Sequence, residues 1–110
     1  MENVGKGMKK LAKALNSIEG FEVLEAERKK NKWYVEVALD QWDDEPQKTV
    51  DVWKRFETVC RIIETKEMED YIEIRILPMM NTFGELSFLF VGRNINPKYL
   101  AQSISEEFQV

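Results

Sequence analysis

The sequence predicts an α+β fold: a two-layer sandwich with a four-stranded antiparallel sheet, helices on one face of it, and the element order αββαββα. Three observations predict it. Apolar residues recur with helical spacing in three separate stretches. Four other stretches alternate or run apolar, with the β-branched and aromatic bias of strands. Each helix at the head of the chain or in its middle is followed by two strands, an order that segregates helices from an antiparallel sheet.

The first helix is expected between Glu2 and Ile18, because Met8, Leu11, Ala12, Leu15 and Ile18 share one face. Gly20 tolerates the left-handed conformation that ends a helix. Phe21 to Arg28 reads as the first strand. Trp33, Val35, Val37 and Leu39 then alternate with Tyr34, Glu36, Ala38 and Asp40 as the second. Between them, Lys29-Lys30-Asn31-Lys32 suits a hairpin turn, with Asn31 as the residue that accepts positive φ.

Gln41 to Pro46 is a polar boundary, where Asp44 and Gln47 have the spacing of a capping box and Pro46 fits a first helical turn. The second helix follows, with Val50, Trp53, Phe56, Val59, Cys60 and Ile63 as its expected buried stripe. Glu67 to Asp70 closes it. Ile72, Ile74 and Ile76 alternate with Tyr71, Glu73 and Arg75 in the third strand, and Pro78 stops that strand. A connection over Pro78–Gly84 leads to the apolar fourth strand, Leu86 to Val91. Asn96 and Pro97 then have the chemistry of a helix start, and Leu100, Ala101, Ile104 and Phe108 line a last helix running toward Val110. The order αββαββ resembles a ferredoxin-like βαββαβ chain with its start permuted, which suggests that strand arrangement.

The 110 residues form one expected domain, 1–110, long enough to bury a core without staples. One cysteine excludes an internal disulfide, and the absence of histidine excludes imidazole-based triads and His-ligated metal sites. No apolar run reaches the length of a membrane span, and the N-terminal residues lack the apolar core of a signal peptide, so a cytoplasmic setting is expected. The net charge of −4 is uneven: residues 1–32 carry eight basic and five acidic side chains, and the remainder is acidic.

Four constellations invite a functional reading. Lys6, Lys9, Lys10 and Lys13 form a basic stripe on the first helix. With Lys29, Lys30 and Lys32 at the hairpin tip they are the candidate anion or nucleic-acid surface. Leu24, Ala26, Tyr34, Ala38, Tyr71 and Leu89 are assigned to a partly apolar sheet side, to be covered by a second copy of the chain or by the last helix. Asp40, Asp43, Asp44 and Glu45 could offer oxygen ligands to a divalent ion but lack EF-hand spacing, so helix capping is their expected role. Cys60 is expected as a small buried core residue. The expectation is a non-enzymatic protein-interaction or regulatory domain that self-associates or binds a partner protein, without cofactor or metal. The alternative is a nucleic-acid-associated protein, and an enzyme using the loop carboxylates ranks last.

Overall fold

A computed structural model describes residues 3–40, 44–77 and 86–108. The elements are α1 (Lys9–Asn16), β1 (Phe21–Lys29), β2 (Lys32–Leu39), α2 (Pro46–Thr65), β3 (Ile72–Ile76), β4 (Leu86–Arg93) and α3 (Pro97–Phe108), in the expected order. The expected connection Pro78–Gly84, and Asp43 in the acidic loop, lie outside the described residues.

All four strands join one antiparallel sheet in the order β1-β2-β4-β3. β2 and β3 therefore run parallel, are linked through α2 and admit β4 between them, a split βαβ unit of the kind the permuted arrangement contains. Register then decides which side chains share a face. Trp33, Val35 and Val37 stand opposite Gly92, Phe90 and Phe88, which in turn stand opposite Ile72, Ile74 and Ile76. This face meets Leu11 and Leu15 of α1, Val52, Val59 and Ile63 of α2, and Leu100 and Ile104 of α3 in a single core. All three helices thus lie on one side, and α3 packs chiefly on α1 rather than over the other face of the sheet.

Two glycines make this packing possible. Gly92 leaves its Cα bare beneath the Trp33 indole, where a Cβ would overlap the ring. Trp33 is thereby buried, and its Nε1–H donates to the Ile95 carbonyl at 2.8 Å. Gly20 has φ +89° and faces the Val52 side chain, so its position needs both a left-handed backbone and the missing Cβ.

The local structure differs from the sequence expectation at four places, each for a visible reason. Helix α1 begins at Lys9 rather than Glu2, because Gly7 takes φ +86° and residues 3–5 pair alongside β1. In the two-residue hairpin turn the left-handed residue is Lys30, not Asn31; the Asn31 carbonyl accepts from Asn94 N–H at 2.8 Å. The capping box is not formed: Glu45 is the N-cap without a side-chain cap bond and pairs with Lys48, while Gln47 donates to Asp51 at 3.0 Å. Finally, α2 turns Val52, Val59, Ile62 and Ile63 inward, leaving Val50 and Trp53 exposed and Phe56 and Cys60 half-buried. Asn96 does cap α3, its Oδ1 accepting from Lys98 N–H at 3.0 Å.

Candidate interaction surfaces

The face of the sheet opposite the helices is acidic where it is exposed, with Ala38, Ser87 and Val91 buried among the charged side chains. Along it stand Glu22, Glu25 and Glu27 of β1, Tyr34 and Glu36 of β2, Leu89 of β4, and Glu73 and Arg75 of β3. The Tyr34 hydroxyl donates to Glu25 at 2.7 Å and approaches Glu27 at 3.1 Å; those hydrogen bonds, Glu25 first, hold its ionisation well above the usual range for tyrosine. Arg75 donates twice to Glu73 and pushes its carboxyl below the ordinary range, with Arg93 adding to the effect at 3.4 Å.

The six residues expected to make an apolar sheet side are not gathered into one exposed surface. Ala26 stands opposite Val35 and belongs to the helix-covered core, because the bulge at Leu24 shifts the alternation of β1 by one residue. Ala38 is fully buried, Leu24 and Leu89 are half-buried, and Tyr34 is tied to two glutamates. Tyr71 is exposed, just before β3.

Apart from Tyr71 and Tyr99, which share a hollow with Met68 and Ile95, the exposed large apolar side chains lie where α2 overhangs the β3 side of the sheet. Val50 is 44% exposed, Trp53 37% and Ile76 66%. Trp53 packs edge-on against Phe88, the cross-strand partner of Ile76, with ring centroids 5.6 Å apart. A groove of about 540 Å³ runs along this flank between Val50, Trp53, Phe56 and Cys60, with Lys54 and Glu57 at its rim. Partial burial pushes the Cys60 thiol up, away from the thiolate a nucleophile needs.

The two edges of the sheet are treated differently. On β1, Val23 N–H donates to Asn16 Oδ1 at 2.8 Å, Ala26 N–H donates to the Asn3 carbonyl at 2.9 Å, and the Ala26 carbonyl accepts from Gly5 N–H at 2.8 Å. Together with the bulge, these contacts close that edge to a further strand. On β3 the described residues place no strand or segment alongside Ile74 and Ile76.

The seven lysines singled out from the sequence are all exposed, and the fold collects them at one end. Lys6, Lys9 and Lys10 share a hollow of about 440 Å³ with Lys98 of α3, and Lys13 lines the neighbouring α1–α3 groove. Lys29, Lys30 and Lys32 reach the same end, because the hairpin is held to the turn before α3 through Asn31 and Asn94. Lys98 was not legible as a member, since only the packing of α3 on α1 brings it there.

Among the described residues, no three Asp, Glu, Cys or His side chains stand close enough to hold a metal ion, and no helix is long and apolar enough to cross a membrane. Comparison with models of known protein families, with curated proteins and with solved structures finds no match to the chain.

Proposed function

We propose that this protein is a non-enzymatic interaction domain, acting in the cytoplasm, that self-associates through the overhang of α2 and the neighbouring edge of the sheet. The observation that carries the reading is the conjunction of Val50, Trp53 and Ile76, large apolar groups left in water beside a strand edge that the described residues leave open. Scattered apolar side chains on a surface need no explanation; a cluster at an open edge does. A binding role is further supported by the lack of histidine and by a lone thiol whose surroundings disfavour the thiolate. Size-exclusion chromatography with light scattering tests the reading. The native chain is expected to dimerise at tens of micromolar, and Val50→Lys, a substitution at an exposed site, to shift it toward monomer. A native chain that stays monomeric at hundreds of micromolar would refute self-association.

A second reading, association with nucleic acid, is favoured by the convergence of Lys98 on Lys6, Lys9 and Lys10. It ranks lower because the adjoining sheet face presents Glu25, Glu27 and Glu36, which repel phosphate.

A further inference from the structure

Taking the self-association reading as its premise, we infer that two copies join along β3 in an antiparallel register centred on Ile74, fusing two four-stranded sheets into one continuous sheet. The backbone supplies the first reason. Arg93 N–H donates to the Tyr71 carbonyl at 2.9 Å, and Leu77 N–H donates to the Ser87 carbonyl at 3.1 Å. Bonding positions alternate along an antiparallel pair, so Glu73 and Arg75 likewise turn their polar backbone groups toward β4. Ile72, Ile74 and Ile76 must turn theirs outward. Ile72 N–H is taken by the Met68 carbonyl at 2.9 Å, which leaves the Ile72 carbonyl and both backbone groups of Ile74 and Ile76 facing the edge without a partner among the described residues. A second β3 centred on Ile74 meets them. The two Ile74 residues exchange N–H and C=O bonds, and each Ile76 N–H reaches the Ile72 carbonyl of the other copy.

The side chains supply the second reason. The strand reads Ile72-Glu73-Ile74-Arg75-Ile76, which is complementary to its own reverse. In the register centred on Ile74, Glu73 of each copy stands opposite Arg75 of the other, at the non-hydrogen-bonded positions where side chains come closest. Sliding the pairing by two residues in either direction would set Glu73 against Glu73 or Arg75 against Arg75. On the helix-covered face, the exposed Ile76 of each copy lands opposite the buried Ile72 of the other. The α2 flanks bearing Val50 and Trp53 lie on that same side of the sheet. The β1 edge cannot serve in the same way, because Asn16, Asn3 and Gly5 already occupy it.

The register is tested by two charge reversals, Glu73→Arg and Arg75→Glu, made in separate chains and checked for folding by circular dichroism. Both side chains are about half exposed, so the fold tolerates them. Each variant alone sets like charges against each other across the junction and should weaken its dimer on the order of tenfold. Mixed together, the two variants should form a heterodimer of near-native affinity, seen by native mass spectrometry, because each arginine then faces a glutamate of the other chain. Loss of the ion pair within one chain cannot produce that rescue. If the native chain dimerises while the variants keep full affinity, or weaken without rescue on mixing, the register is wrong and the interaction reading survives. If the native chain is monomeric at hundreds of micromolar, both fall.

Discussion

At the scale of single residues, the core depends on an absence at Gly92. Its Cα lies one residue from the end of β4, between Trp33 on β2 and Ile72 on β3, and the indole occupies the space a side chain would need. A tryptophan this large is buried only if something gives way, and the polar end of the ring must still be satisfied, which the Ile95 carbonyl does. Gly92→Ala should therefore displace the ring and destabilise the fold by about 1–3 kcal/mol through overpacking. Urea unfolding would check this: a midpoint unchanged from the native chain would show that the ring relaxes without cost. The Leu24 bulge acts at the same scale, since one extra residue moves Ala26 from the open face to the core.

At the scale of elements, α2 decides both the packing and the exposed surface. Its apolar residues cover an arc wider than the sheet can receive: Val52, Val59 and Ile63 turn inward, while Val50 and Trp53 stay on the flank. The end of the helix is set by hydrogen bonds rather than by a glycine. Glu67 N–H donates to the Glu64 carbonyl and Met68 N–H to the Ile63 carbonyl, with Glu67 at φ +59° and Met68 buried beside Ile63. This is a Schellman closure with a residue that disfavours the left-handed region. Glu67→Gly should stabilise the protein by about 0.5–1 kcal/mol, the relief of the Cβ clash less the added freedom of the unfolded chain. A thermal melt would show it as a higher midpoint; a lower one would mean that the Glu67 side chain contributes more than its backbone strain removes.

At the scale of the whole molecule, charge is sorted by position. The turn before α1, the hairpin and the start of α3 form a lysine-rich end, while the sheet face opposite the helices carries five glutamates. If the lysine-rich end binds nucleic acid, affinity for a single-stranded oligonucleotide should fall steeply with salt, and the triple variant Lys9→Glu, Lys10→Glu, Lys98→Glu should abolish it. A mobility shift at low ionic strength measures this. No shift there, or a shift indifferent to salt, removes the nucleic-acid reading and leaves the β3 edge as the surface that needs a partner.

The seven elements, their order and most of their boundaries are legible in the chain's residues, because periodicity and helix-start chemistry are local properties carried by adjacent residues. The sequence also located the lysines, whose exposure follows from their chemistry. The surfaces were decided by tertiary structure. Whether Val50 and Trp53 are core or flank depends on how α2 rolls when Val52 seats against Gly20, and whether Ala26 faces in or out depends on one bulge. Lys98 joins Lys6, Lys9 and Lys10 only because α3 packs on α1. The self-complementary run Ile72 to Ile76 stood in the sequence throughout, but it acquires meaning only when β3 becomes the outer strand, since a pairing surface exists only where backbone groups face outward without a partner.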